Sequence, residues 1–152
     1  MSYTLPLFTG PRKNEFFFAP IPMPWDRGGE FIPLMVAGTY GTHARTLRLE
    51  YTIPPGKIGI IMAAYIQVEA PTTSGYAYGA IWITNPQGQD VYFLHHLKTS
   101  STTPLHMVVS PIPVFFIIPE NWKIRLYTLN VSSDSLYINV GVALYIFNKL
   151  IG

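Results

Sequence analysis

The chain contains no cysteine. A disulfide framework, a thiolate metal site and a cysteine nucleophile are therefore excluded, and stability has to come from packing. At 152 residues the chain is most simply one domain. Size scaling predicts that such a domain buries about two thirds of its unfolded surface, which is enough for a fold without covalent staples.

Charged residues are also scarce. They make up 12% of the sequence, whereas hydrophobic residues reach 49% and aromatic residues 14%. Soluble domains usually carry about 25% charged residues, and a free monomer normally keeps its exposed apolar patches small. The composition therefore predicts a homo-oligomer, or a subunit whose faces are covered by other proteins.

Basic patches and long apolar runs are missing as well. The ten Lys and Arg residues are nearly balanced by eight Asp and Glu residues, so the net charge is only +2. Arg12 and Lys13 are the single adjacent pair of basic residues. The longest largely apolar run, 58–68, is far shorter than the ~20 residues of a membrane-spanning helix. Residues 1–6 lack the basic and apolar regions of a secretory signal. We therefore expect no direct nucleic-acid partner, no membrane span and no secretion by that route.

No stretch shows helical periodicity with capping residues, and the body of the chain is a series of strand-like runs separated by turn residues. Turns are predicted at 38–42, 85–89 and 131–135, and a flexible loop at 98–103. The predicted strands are 31–36, 45–53, 58–69, 76–84, 91–97, 123–130, 136–147 and one kinked or edge strand within 105–118. The fold class is therefore all-β, with about eight antiparallel strands.

Two Pro-led segments enter a strand in the same way. Their sequences are Ile-Pro-Pro-Gly-Lys-Ile at 53–58 and Ile-Pro-Glu-Asn-Trp-Lys-Ile at 118–124. Proline fixes φ and withholds a backbone donor, so one strand stops there and the next begins at the Lys-Ile pair. We predict that both are hairpin corners, which favours a β-sandwich of two strand systems folded over each other.

Alternation within the strands predicts which side chains face the core. In 45–53 the odd-numbered residues, from Leu47 to Ile53, are predicted to share the core face, and the even-numbered residues face water. In 58–69 both faces are apolar. That pattern predicts a central strand covered on both sides.

Residues 1–30 differ from the body at 31–152. Prolines at positions 6, 11, 20, 22 and 24 forbid a helix and favour an extended arm, with Gly28 and Gly29 as the joint. The arm has apolar side chains to bury but no core of its own. It either wraps its own sandwich or ties the subunit to a neighbour. The residues that would anchor it in an assembly are Phe8, Phe16, Phe17, Phe18 and Trp25.

No combination of residues indicates catalysis. His95 and His96 are adjacent in a strand, so they point to opposite faces and cannot hold one metal ion. The carboxylates are dispersed, and the serines and glycines lack the spacing of a nucleophile elbow or a phosphate loop. Asn130-Val131-Ser132 fits a glycosylation sequon but is interpreted as an ordinary turn. We expect a protein that is not an enzyme and that takes no metal or cofactor.

One row of aromatic residues has two interpretations. Tyr76, Tyr78 and Trp82 share one face of the strand at 76–84, and residues 77, 81 and 83 are apolar on the other. An exposed row of this kind suits stacking on sugars. The alternative, which the sequence favours, is that the row lies in the core or is buried against a neighbouring copy.

The order of these segments resembles that of a single jelly-roll viral structural protein. The resemblance covers about residues 45–147 and rests on the two Pro-led corners, the turn at 85–89 and the closing strand at 136–147, preceded by an arm. It implies a jelly-roll sandwich in a non-enzymatic virion subunit, such as a capsid, vertex (penton) or decoration protein. Such a subunit self-assembles through its sandwich faces and arm, and it lies in the virion with other virion proteins. The alternative is a carbohydrate- or receptor-binding sandwich module that uses Tyr76, Tyr78 and Trp82.

Overall fold

The structure, a computed structural model, describes residues 29–102 and 107–149, without side chains at 107–115. Within that part of the chain eight strands form two four-stranded sheets, sheet A in the order β1-β8-β3-β6 and sheet B in the order β2-β7-β4-β5. No helix there is long and apolar enough to cross a membrane. The strands are β1 Glu30–Tyr40, β2 His43–Thr52, β3 Lys57–Val68, β4 Tyr76–Thr84, β5 Asp90–Ser100, β6 Met107–Ile118, β7 Lys123–Asn130 and β8 Leu136–Asn148.

All neighbouring strands are antiparallel, and their pairing follows a simple rule. The first four strands pair in reverse order with the last four, as β1 with β8, β2 with β7, β3 with β6 and β4 with β5. Winding four strands against four in this way produces the two stacked sheets of a jelly roll. The prediction of an all-β sandwich of eight antiparallel strands is confirmed.

The core lies between the two sheets and is almost entirely aliphatic. Ile66 and Ile138 of sheet A and Ile81 and Leu126 of sheet B are fully buried in it. Burial of each such side chain stabilises the fold by about 1.5–3 kcal/mol. At Gly79 the two sheets approach closely, because a Cβ there would lie 2.7 Å from Val140 Cγ2.

The two Pro-led corners are not hairpins, so that prediction was wrong. Each carries the chain from one sheet to the other: the corner at 53–58 joins β2 of sheet B to β3 of sheet A, and the corner at 118–124 joins β6 of sheet A to β7 of sheet B. The corners lie side by side: the Ile53 N–H donates to the Trp122 carbonyl at 2.9 Å, and the Asn121 N–H donates to the Ile53 carbonyl at 2.8 Å. Gly56 and Asn121 take the left-handed conformation, with φ of 75° and 67°. Proline marks where a strand ends but does not select the partner of the next strand.

Several strand ends lie beyond the predicted limits because pairing continues. β1 runs to Tyr40, through most of the predicted turn, since all its residues pair with β8. β5 runs to Ser100, through part of the predicted loop at 98–103, since Ser100 pairs with Tyr76. β6 is one edge strand, as predicted, and its residues 112–115 have no partner on β3. Glu30 belongs to β1, so the strand begins one residue before the predicted boundary. The five predicted arm anchors lie outside the described residues.

A bulge reverses the predicted faces of β2 in the part of the strand that precedes it. The register on β7 shifts between Leu47 and Leu49, so Arg48 is an extra residue. Leu47 consequently points away from the core and is 42% exposed, although alternation predicted it to be buried. Tyr51, beyond the bulge, packs against the core as predicted.

β3 is central in its sheet, as predicted, but it is not fully covered on both sides. It pairs with β8 on one side and with β6 on the other. Its outward Met62 remains 36% exposed, since the described residues form two layers and not three. The apolar outer side of β3 therefore belongs to an exposed sheet face.

Asn130 forms the buried centre of the turn between β7 and β8. Its Nδ2 donates to the carbonyls of Tyr40 at 3.0 Å and Asp134 at 2.8 Å. Its Oδ1 accepts from the N–H of Ser132 at 2.9 Å and from its Oγ at 2.7 Å. The side chain is fully buried with all its main hydrogen-bonding positions used. The interpretation of 130–132 as a turn is confirmed.

Candidate functional site

The two outer faces of the sandwich differ in charge. The outward positions of β1, β3 and β8 in sheet A hold no Asp, Glu, Lys or Arg, and we call this surface the apolar face. The outer surface of sheet B, which we call the charged face, carries four basic residues and two carboxylates. They are Arg45, Lys98, Lys123, Arg125, Glu50 and Asp90.

The aromatic row of β4 lies on the charged face. Tyr76, Tyr78 and Trp82 are partly exposed, whereas Ala77 and Ile81 on the other side of the strand are fully buried. The row therefore lies at the surface of the sandwich and not in its core. Its use in binding remains a prediction.

A hollow of about 290 Å³ opens beside this row. Ala80 lies between Tyr78 and Trp82 on the same face of β4, and its short side chain leaves the space open. The Trp82 ring stacks on Phe93 of β5, with centroids 4.7 Å apart and an interplanar angle of 25°. We call this space the aromatic hollow; its lining residues are Arg45, Tyr78, Ala80, Trp82, Phe93 and His96.

Arg45 reaches the aromatic hollow from the edge strand β2, across β7. Its guanidinium carbon lies 3.8 Å from the ring centroid of Tyr127 and 5.9 Å from that of Trp82. Its Nη2 lies 3.4 Å from Oδ2 of Asp90. Stacking on a ring positions a guanidinium without using its N–H groups. Arg45 therefore has donors left for a ligand.

Asp90 anchors the polar network beside the aromatic hollow. Its carboxylate accepts from Thr84 Oγ1 at 2.6 Å, Tyr127 Oη at 3.1 Å and Arg125 Nη1 at 3.3 Å. Burial opposes its ionisation, but the hydrogen bonds and Arg125 outweigh burial and hold the pKa of Asp90 below its usual value. Glu50 is the second anchor: the hydrogen bond from Arg125 Nε at 2.7 Å lowers the pKa of its carboxyl.

These lowered pKa values predict a loss of stability in acid. A carboxylate with a folded-state pKa below its unfolded value stabilises the fold above the unfolded value, near 4, and that contribution is lost as the pH falls through the folded pKa. Between about pH 6 and pH 3 the free energy of unfolding of the wild type should therefore fall by about 1 kcal/mol more than that of Asp90→Asn. The difference is modest because Asp90 and Arg125 are partly exposed to solvent. Thermal melts across this range measure the difference. Parallel curves for the two proteins would contradict it.

The two adjacent histidines point to opposite faces, as predicted. His96 lines the aromatic hollow, whereas His95 pairs opposite the fully buried Ile81 and faces inward. Burial, followed by the nearby His96, lowers the pKa of His95, and its buried Nε2 has no hydrogen-bond partner among the described residues. In the part of the chain that the structure describes, no group of three or more potential ligand side chains could hold a metal ion.

Sequence reasoning identified the row on β4 but missed Arg45, Phe93 and His96. Arg45 comes from a strand that is not adjacent to β4 in the sheet, so no local pattern indicates it. Phe93 sits beside Trp82 because of a register shift between β4 and β5. For Phe93 and His96 the signal available in the sequence was the cluster of two aromatic residues and two histidines in 90–98.

Comparison with known proteins assigns no family. No protein-family model matches the chain, and no curated protein matches it. Among solved structures, a chain of infectious bursal disease virus, Gx strain, is 9% identical with a TM-score of 0.42, over 79% of this chain and 32% of that one. A CocE/NonD family hydrolase from Staphylococcus aureus is 9% identical with a TM-score of 0.39, over 79% and 37%.

A chain of the disulfide-linked pili of Bacillus endospore appendages is 6% identical with a TM-score of 0.37, over 88% of this chain and 100% of that one. The present chain thus spans about a third of the length of the viral and hydrolase chains. Similarities this low carry no argument about function. Function has to be inferred from the two sheet faces.

Proposed function

We propose that this chain is a non-enzymatic structural subunit that self-assembles through its apolar face, in a virion as a capsid, vertex or decoration protein. The observation that carries the proposal is the chemistry of that face. Met35 is 57% exposed, Phe31 49% and Tyr137 36%, with no charged side chain at the outward positions between them. An apolar surface of this kind on a soluble protein marks an interaction site.

The apolar face also has the shape and size of an interface. It contains a hollow of about 410 Å³ beside the edge strand β1, lined among others by Phe31, Met35, Tyr65 and Ala143. With the neighbouring strand β6, whose sequence also holds no Asp, Glu, Lys or Arg, the four strands of 11 to 13 residues make a surface of about 40 Å by about 19 Å, or roughly 750 Å². A stable interface buries about 800 Å² per partner.

A second copy of the same chain is the occupant that fits this face. The charged face keeps its carboxylates hydrogen-bonded to its own cations and is stable in water. The apolar face has no such groups, so bringing it against its own copy buries apolar area without like-charge repulsion. Location in a virion is supported by the jelly-roll strand order and by the resemblance of the sequence segments.

Met35→Lys tests the assembly. Met35 is outward on the edge strand β1, so a lysine there leaves the core intact but places a charge in the interface. Light scattering at micromolar concentration should give an oligomer for the wild type and an association at least about tenfold weaker for the variant. Leu47→Lys is the matched control, because Leu47 is 42% exposed on the opposite sheet. A wild type that remains a monomer, or equal effects of the two substitutions, would contradict the proposal.

A carbohydrate- or receptor-binding module is the second candidate function. It is supported by the position of Tyr76, Tyr78 and Trp82 at the surface of the sheet that the proposed assembly leaves uncovered. The two functions are compatible, since assembly uses sheet A and binding uses sheet B.

A further inference from the structure

The aromatic hollow joins flat rings to an arginine that stacks on Tyr127. We propose that it binds an acidic saccharide, with Arg45 pairing with the sugar carboxylate and the rings of Tyr78 and Trp82 contacting the sugar. This proposal names the ligand class for the second candidate function and rests on it.

The rings and the floor of the hollow suit a sugar. Tyr78 and Trp82 flank Ala80, so two aromatic walls rise on either side of a methyl group. Apolar C–H faces of a pyranose pack on such rings, while its hydroxyls stay near water. Phe93 supports the back of Trp82 by stacking at 4.7 Å, which limits the freedom of the indole to rotate.

Charge selects an acidic sugar over a neutral one. Arg45 is held over Tyr127 and makes only a 3.4 Å contact with Asp90, so its planar fork can still take a carboxylate. Lys98 adds a second positive charge, 4.0 Å over the Tyr76 ring. The two carboxylates of the face are already hydrogen-bonded to Arg125, so they repel an incoming anion less than free carboxylates would.

Titration calorimetry with matched probes tests the proposal. The probes are trigalacturonate against its methyl ester, and sialyllactose against its methyl ester; within each pair the charge of the carboxyl groups is removed while the sugar is kept. At least one acidic probe should bind, and its neutral counterpart should bind about tenfold more weakly or worse, as expected for a charge-assisted hydrogen bond. Trp82→Ala should weaken both members of the pair.

Two arginine variants distinguish an ion pair between Arg45 and the sugar carboxylate from nonspecific attraction of an anion to a positively charged protein. Arg45→Gln should lower the affinity for the acidic probe about tenfold or more, to the level of the neutral one. Arg48→Gln removes the same charge from the same strand, but Arg48 packs 4.2 Å over Tyr40 and donates to Thr128, away from the hollow. The affinity of Arg48→Gln for the acidic probe should stay within about twofold of the wild-type value. Thermal melts establish that both variants are folded.

Equal binding of an acid and its ester, or equal losses in the two arginine variants, would overturn the proposal while leaving a carbohydrate-binding function in place. Absence of binding by every probe at millimolar concentration would overturn both. Neither result affects the assembly proposal, because that is measured as molecular mass and through Met35 on the opposite sheet.

Discussion

Asn130→Asp is expected to lower the free energy of unfolding by about 3 kcal/mol. The substitution keeps the shape of the side chain but replaces two N–H donors with a carboxylate oxygen. The carbonyls of Tyr40 and Asp134 then lose the donors that reach them at 3.0 and 2.8 Å and face a negative charge in a fully buried position. Each buried acceptor left without a donor costs about 1–3 kcal/mol. Chemical denaturation monitored by circular dichroism measures the change.

Ser133→Ala is the matched control in the same turn. Ser133 is exposed, and its Oγ makes one bond to Thr73 Oγ1 at 3.1 Å, so its removal should cost less than about 0.5 kcal/mol. The deficit of Asn130→Asp relative to the wild type should shrink as the pH falls toward about 4, because burial against two carbonyls favours the protonated acid, which again donates to one carbonyl. If the two variants lose equal stability, Asn130 does not have the structural role described for it.

The strand content was predictable because its signals are local. Alternating side chains and Pro or Asn-Pro-Gln-Gly turns gave β4 and β7 their correct limits. Pairing information is not local, so the residues at 53–58 predict a hairpin although β2 and β3 lie in different sheets. The bulge at Arg48 was not predictable for the same reason. It depends on the register between β2 and β7, and the sequence of β2 alone does not contain that register.

The candidate site was predictable to the same extent. The shared face of Tyr76, Tyr78 and Trp82 follows from the period of one strand. Whether that face is core or surface depends on which side the other sheet covers, and alternation does not decide this where both sides are apolar. Arg45 enters the aromatic hollow only because sheet B places β2 beside β7 and β7 beside β4.

Deletion of residues 1–28 is expected to leave a folded, β-rich domain that assembles about a thousandfold more weakly, or not at all. The described fold begins at β1, whose pairing with β8 runs from Glu30 onward, and the described residues of its core lie in the eight strands and, with Ile53, in the corner between β2 and β3. The deleted segment carries Phe8, Phe16, Phe17, Phe18 and Trp25. Aromatic side chains bury ~150–250 Å² each, so covering these on a neighbour would contribute several kcal/mol, and about 4 kcal/mol corresponds to a thousandfold.

Five prolines in the segment lower the entropy lost when it binds in extended form, which favours docking on a neighbouring subunit. Light scattering and thermal melts on the truncated protein distinguish the alternatives. A lower melting temperature with aggregation would mean that the arm covers its own core, and an unchanged melting temperature with unchanged assembly would mean that it does neither. A replacement of Phe16, Phe17 and Phe18 by serine in the full chain separates side-chain burial from chain length. If the arm acts through these rings, the triple variant should reproduce most of the loss of assembly while melting like the wild-type domain.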